Sequence, residues 1–310
     1  MVTEKTLVDT SDPMSQPIKF ITTPDKDIAG HICGNARCRN EGCDIVMPCE
    51  CDPPNRIPMV QMNQHQGLTL VIAGAGPSLK HAYREIHKAD HVWGCNSAVN
   101  WLVQEGWKCT HGVAIDASPR MFGEVWTEPA DIDYLIATTV NPLLVDHLLA
   151  HDRPIQFFHS HRHSQDEEIL CNVLYPDAPI CVMGLNVANR AIELAVWMGY
   201  KKIIMAGCDN AMNDSGVMYT DGRGPHSMDA IISGTIDGRR WTTKPDMLLS
   251  ACSMANAKWT LGSRLEFIGN TLPATLARKD QAFLDRCILW GESADKLTET
   301  EETPNIETNP

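Results

Sequence analysis

The chain predicts an α/β fold, a doubly wound, mainly parallel Rossmann-like sheet preceded by a small cysteine-rich module, and three observations carry that prediction. Short apolar runs alternate with helical patterns from residue 66 to about residue 270, the order expected of strands joined by crossover helices. Several runs are continuously apolar rather than alternating, as strands covered on both faces must be. Polar or turn-forming residues follow the runs, which places chemistry-bearing side chains at the carboxyl ends of the strands. With 310 residues, 43% of them hydrophobic, the chain can bury a sizeable core.

Taken in order, residues 1–30 carry Pro13, Pro17 and Pro24 among polar residues without sustained periodicity, and read as a polar arm. Residues 31–58 form the cysteine-rich module and end in the turn signal Asp52-Pro-Pro-Asn55. Residues 66–292 form the α/β domain. Its strand candidates are Leu68–Ala73, His91–Gly94, His111–Ile115, Tyr134–Thr138, Ile155–Phe158, Lys202–Ala206 and Arg264–Ile268. Between them, Ser78 to about His87, Ala98–Glu105, Pro142–Ala150, Asn186–Met198 and Leu248–Trp259 read as helices. Residues 293–310 are rich in Glu, Thr and Pro, have little to bury, and are expected to be a disordered acidic tail. No internal repeat is evident.

Composition narrows the function. A net charge of −13 argues against a broad nucleic-acid surface, which needs clustered Lys and Arg. No run of about 18 apolar residues occurs, and the opening residues are polar rather than basic and then apolar, so a cytoplasmic protein without a membrane span is expected. A homo-oligomer is compatible with this composition.

Seven of the twelve cysteines (Cys95, Cys109, Cys171, Cys181, Cys208, Cys252 and Cys287) are scattered among apolar segments and read as small buried hydrophobes. The other five, Cys33, Cys38, Cys43, Cys49 and Cys51, fall close together just after His31. Thiolates and an imidazole suit the tetrahedral N/S preference of Zn²⁺, so these six residues are the candidate ligands of a structural zinc. The spacing lacks the Cys-x2-Cys knuckle of common zinc ribbons, which leaves free thiols and an iron–sulfur site as alternatives.

Five polar signals fall directly after strand candidates. Gly74, Gly76, Pro77 and Ser78 form a tight turn in which backbone amides can approach a phosphate. Asn96 either caps the next helix or bonds a ribose or base. Asp116 either holds a ribose hydroxyl or a metal, or caps a turn. Gly184 and Asn186 open a long helix whose first amides can meet an anion. Asp209 is either a ligand or a structural carboxylate satisfied by backbone amides. The Gly-, Asn- and Asp-rich loop from Asn210 to Ser227 reads as a lid, with His226 as a general acid or base and Tyr219 or Arg223 stabilising charge on a leaving phosphate. The alternating His159, His161 and His163 form a rival cluster that an exposed edge explains adequately.

Together, Val71–Lys80 (VIAGAGPSLK), Gly94–Asn96 (GCN), Val113–Asp116 (VAID) and the block Gly184–Asp209 resemble the DUF115, or MptE-like, superfamily over roughly Gly67 to Ser227. That superfamily includes motility-associated flagellin glycosyltransferases and archaeal 6-hydroxymethylpterin diphosphokinases, and looks related to bacterial sialyltransferases that use CMP-activated sugars. The resemblance implies a nucleotide site built by Gly74, Gly76, Pro77 and Ser78, with Asn96 on the nucleotide and Gly184 to Asn186 at its phosphate end. Asp116 and Asp209 match acidic family positions, and His226 and Tyr219 take the places of base and phosphate contact. Where the pterin diphosphokinases carry Asp-x-Asp-Gly, this chain has Asp116-Ala-Ser118, one carboxylate short of the pair that clamps Mg²⁺ for diphosphoryl transfer. The expectation is a transferase using a nucleotide-sugar donor, a CMP-sugar by preference, on a hydroxyl acceptor. The alternatives are an ATP- and Mg²⁺-dependent diphosphokinase and a non-catalytic nucleotide-binding scaffold.

Overall fold

In the computed structural model the described residues are 31–32, 35, 57–161, 179–224 and 231–300, with side chains described as far as residue 293. Ten strands are present among them: β1 (Thr69–Ala73), β2 (His91–Cys95), β3 (His111–Ala114), β4 (Asp133–Ala137), β5 (Ile155–Ser160), β6 (Ile180–Cys181), β7 (Lys202–Ala206), β8 (Ile232–Ile236), β9 (Arg239–Thr243) and β10 (Leu265–Phe267). Eight of them form one sheet in the order β10-β7-β1-β2-β3-β4-β5-β6, and every pairing within it is parallel. The chain starts in the middle at β1, steps outward to β6, then returns to lay β7 on the other side of β1. The two strands flanking β1 therefore diverge into opposite halves of the sheet, which opens a crevice above its carboxyl end.

Helices cover both faces, and the register of β1 shows why. Leu70 and Ile72 point into one apolar cluster with Ala191 and Leu194 of the helix α4 (Val187–Trp197). Val71 and Ala73 point the other way, into a cluster with Ile86 of α1 (Tyr83–Lys88) and Leu102 of α2 (Ala98–Gln104). A strand buried on both faces must be apolar at every position, which is the pattern its sequence displays. On the far half, α3 (Pro142–Ala150) starts as proline-led helices do, with the Asn141 side chain accepting from the Leu143 amide.

A third cluster joins the antiparallel hairpin β8–β9 to α5 (Pro245–Leu261), α6 (Leu272–Leu276) and α7 (Gln281–Thr300). The sequence pattern had not indicated this hairpin, α6, α7 or the two-residue β6. Among the described residues no helix is long and apolar enough to cross a membrane.

Four expectations are corrected here. The helix read from Ser78 to about His87 is two pieces, a 3₁₀ turn over Pro77–His81 and then α1, with Ala82 as the joint. The histidine stretch does not lie on an exposed edge: β5 is paired on both sides, and His159 is fully buried with its Nδ1 2.7 Å from Thr138 Oγ1. The α/β unit begins before residue 66, because Met59 bridges to Phe157 of β5 and the Val60 amide donates to the Phe157 carbonyl. Finally, α7 runs to Thr300, so residues 293–300 of the expected disordered tail continue a helix anchored by packed residues such as Leu284 and Cys287. His163, His226 and residues 301–310 lie outside the described residues.

The cysteine module is represented by three residues. Ile32 is fully buried in the main cluster, Asn35 donates from Nδ2 to the carbonyls of Thr138 and Val140 at 2.9 Å each, and His31 Nδ1 sits 3.3 Å from the Thr139 carbonyl. Cys33, Cys38, Cys43, Cys49 and Cys51, the other candidate zinc ligands, lie outside the described residues. Among the described residues no group of three or more His, Cys, Asp or Glu is placed to hold a metal ion.

Candidate active site

A cavity of about 370 Å³ opens at the crevice between β1 and β7 and is walled by the turns after β1, β2, β3 and β7 and by the start of α4. Its size is that of a small-molecule site. Gly74, Gly76, Asn96, Asp116, Asn186, Asp209 and Tyr219, singled out from sequence, all line it. Pro77, Ser78 and Gly184 do not line it; each sits within two residues of one that does.

The glycine turn is shaped first by the strand beside it. The Gly74 amide donates to the Ala206 carbonyl at 2.8 Å, the Gly76 amide to the Gly207 carbonyl at 2.8 Å, and the Ser78 amide to Asp209 Oδ2 at 3.0 Å. A Cβ on Gly76 would stand 2.2 Å from Asp209 Oδ2, and one on Gly74 would stand 2.5 Å from the Gly207 carbonyl oxygen. Gly207 itself has φ +64°, with the Gly74 carbonyl oxygen 2.3 Å from where its Cβ would lie. The two turns are interlocked backbone against backbone, and side chains are excluded by the protein itself. The Ala75 amide has no acceptor among the described residues.

Asp209 accepts a backbone amide, that of Ser78, and also lines the cavity. Burial pushes its carboxyl above the ordinary value, against the opposing hydrogen bonds of Ser78. The Asn96 side chain does not cap α2; the residue ahead of that helix is Ser97, without a side-chain cap. Asn96 has φ +48° and a buried Oδ1 with no hydrogen-bond partner among the described residues. Asn210, across the cavity, also has a positive φ, +52°. Such conformations in residues other than glycine cluster at functional sites.

Asp116 Oδ1 accepts from the Ser118 amide at 2.8 Å, a local turn bond in a residue that lines the cavity. Asn186 is the cap of α4, its Oδ1 accepting from the Asn189 amide at 3.1 Å. Val187 and Ala188, whose first-turn amides are unbonded within the helix, are among the residues that line the cavity. Gly184 has φ +61°, and a Cβ there would lie 2.4 Å from Asn189 Cγ, so its absence lets the chain turn tightly into that cap.

The loop after β7 closes over the turn after β1. Thr220 donates from its amide to the Ala75 carbonyl at 2.7 Å and from Oγ1 to the same carbonyl at 2.9 Å. Tyr219 enters the cavity beside it, with the Arg223 guanidinium 5.2 Å from its ring centre and burial raising its phenol. Arg223 is itself paired with Asp221 at 2.7 Å. Sequence reasoning missed Thr220, Met218 and Met247, which carry no motif, and the thiols of Cys95 and Cys208. Both thiols adjoin motif residues, and burial pushes Cys95 up and Cys208 up to about 12, which disfavours the thiolate at neutral pH.

A family model described as 6-hydroxymethylpterin diphosphokinase MptE-like matches residues 55–215, which is more than half of the chain and includes the turns after β1, β2, β3 and β7. The chain belongs to the MptE-like family. The fold of this MptE-like chain is shared with the MAf glycosyltransferase from Magnetospirillum magneticum AMB-1, at TM-score 0.56 and 12% identity, over 89% of this chain and 44% of that one. The chain therefore spans less than half the length of that enzyme. A mammalian sialyltransferase, solved with Gal-beta-1-3GalNAc-ortho-nitrophenol, is much more distant at TM-score 0.35 and 13% identity, covering 66% of this chain and 70% of that one. No curated protein sequence matches the chain.

Proposed function

We propose that this MptE-like chain is a transferase that moves a sugar from a nucleotide-sugar donor, with a CMP-sugar as the preferred donor, to a hydroxyl acceptor. The observation that carries the reading is the cavity at the β1/β7 crossing, which is lined both by Asn96, with its positive φ and unused buried acceptor oxygen, and by the first turn of α4. The likeness in fold to an enzyme named as a glycosyltransferase supports it.

In this reading the nucleoside lies against Asn96 and Asp116, and the phosphate meets the amides of Val187 and Ala188 and the hydroxyl of Tyr219. The acceptor oxygen attacks the anomeric carbon as the bond from that carbon to the phosphate oxygen breaks. The acceptor proton passes to His226, and the charge left on the departing nucleotide is met by the α4 amides and Tyr219. Tyr219, its phenol kept protonated by burial, donates to the phosphate rather than accepting from it. Asp209 holds the glycine turn through Ser78 and takes no proton. Mg²⁺ would be met by Asp116 with little help, since Asp209 is already engaged and no third ligand joins them among the described residues.

The first test is thermal stabilisation of the purified protein by CMP, UDP, GDP and ATP, each with and without Mg²⁺; a ligand at 100 times its Kd stabilises by about 2.7 kcal/mol. A CMP shift independent of Mg²⁺, followed by CMP release from a CMP-sugar, is expected. The family description favours one second reading, diphosphoryl transfer to a pterin; an Mg²⁺-dependent ATP shift with AMP release would establish that reading and overturn the first. In the glycosyl reaction His226→Ala should lower kcat by about 10²–10⁴ with donor binding retained. An unchanged kcat removes His226 from the mechanism.

A further inference from the structure

Away from the cavity, the C-terminal cluster brings together two thiols that the proposed reaction does not use. Cys252 lies on α5 and Cys287 on α7, helices that form the most extensively packed pair of elements among the described residues. Their crossing is fixed independently at Gly291, where a Cβ would lie 3.1 Å from Leu249 Cδ2 and 3.5 Å from the Pro245 carbonyl oxygen. A glycine at a helix crossing lets the backbones approach closely. One turn back along α7 from Gly291 is Cys287, and one turn forward along α5 from Leu249 is Cys252, so the antiparallel crossing sets the two on facing rows. Both are buried in one apolar cluster, and their thiols are close enough to interact.

The pair is also reachable. Cys252 is fully buried, but Cys287 lines a second cavity of about 180 Å³, walled by Trp241, Phe283 and Trp290. Cys287 is the reactive partner because it reaches the cavity: contact with the Cys252 thiol holds it below the ordinary thiol value, while the same contact and burial push Cys252 up. Arg286 beside it favours the thiolate further. By contrast, burial raises Cys95, Cys109, Cys181 and Cys208.

We propose that Cys252 and Cys287 are a dithiol that a hydroperoxide oxidises reversibly to a disulfide, tying α7 to α5. The Cys287 thiolate attacks one oxygen of the hydroperoxide; the O–O bond breaks, and the other oxygen leaves with the electron pair and takes up a proton. For hydrogen peroxide this gives a sulfenic acid and water. The Cys252 sulfur then attacks the Cys287 sulfur, the S–O bond breaks, and the hydroxyl departs as a second water with the Cys252 proton. Two thiols are oxidised by two electrons and one peroxide is reduced to two waters.

The test is hydrogen peroxide added to the native full-length protein, followed by alkylation and tryptic mapping. Cleavage after Arg240, Lys258, Arg286 and Lys296 sets Cys252 in peptide 241–258 and Cys287 in peptide 287–296. The expected product is those two peptides joined, about 2 Da lighter than their sum, and separated again by dithiothreitol. In Cys252→Ala, with a circular dichroism spectrum matching the parent, the joined peptide disappears and dimedone labels Cys287 as its sulfenic acid instead. Three outcomes would overturn the proposal: both peptides recovered alkylated after peroxide, Cys287 joined to a cysteine of the 33–51 cluster, or the joined peptide formed only when denaturant is present.

Discussion

At the residue scale, the interlocked turns make two glycines answerable to protein contacts. Gly76→Ala places a methyl 2.2 Å from Asp209 Oδ2 and 2.6 Å from the Gly207 carbonyl oxygen, and should lower stability by about 1–3 kcal/mol as overpacking does. Gly123→Ala, with nothing within 4 Å of its Cβ, is the control and should leave the melting temperature nearly unchanged. Asp209 adds a pH dependence. Its folded carboxyl sits above the unfolded value, so the folded state holds the proton more tightly and stability falls as pH rises from the ordinary Asp range through the raised value. Asp209→Asn still offers an oxygen to the Ser78 amide and should flatten that part of the stability profile, as read by denaturant midpoints at pH 4 to 8. The residues of this region were legible in the sequence because glycines, Asn96 and Asp209 stand directly after strand runs. Their partners were not, since nothing in Gly76 announces a carboxylate from a strand that arrives much later in the chain.

At the element scale, parallel strands and their crossover helices were the readable part. β7 and α3 match their sequence ranges in full, because a two-sided apolar run and a proline-led, Asn-capped helix are strong local signals. The hairpin β8–β9 was unreadable for a physical reason: Ile-Ser-Gly-Thr-Ile and Arg-Arg-Trp-Thr-Thr are half exposed and gain their apolar cover from elsewhere, with Trp290 packing over Gly234 and the Arg239 guanidinium 4.1 Å from the Trp241 ring centre. The cap of α4 gives a prediction at this scale. Asn186→Ala removes the acceptor of the Asn189 amide and should cost about 0.5–2 kcal/mol, whereas Asn186→Ser keeps a capping oxygen and most of the stability. Comparison of the two for nucleotide binding, at matched stability, separates the cap from any direct contact with ligand.

At the scale of the whole molecule, the two ends of the sheet differ in chemistry. The cavity occupies the carboxyl end, while His91 and His111 open β2 and β3 at the other end, where they meet His65. The ring centres of His65 and His91 are 4.5 Å apart, and those of His91 and His111 are 5.3 Å apart. Burial, then mutual repulsion, lowers His65 to about 4 and His111 to about 3, and burial lowers His91. The unfolded chain takes up protons near pH 6.5 that the folded state refuses, so this contribution to stability is complete above that value and is lost as pH falls toward 3. His111→Asn should make the acid limb of the unfolding profile shallower while leaving nucleotide binding at pH 7 unchanged.

The strand order carries a consequence for synthesis. β1 is made early and its neighbour β7 late, with β2 to β6 laid down on the other flank in between. Until residue 206 has emerged, one side of β1 is an open edge, and the turn at Gly74 to Ser78 lacks the carbonyls and the carboxylate that fix it. On the ribosome, the cavity proposed to take the nucleotide therefore cannot mature piece by piece. Nascent chains stalled after residue 200 should stay sensitive to protease and ignore nucleotide, and chains long enough to free α4 to α6 should gain protection and binding in one step.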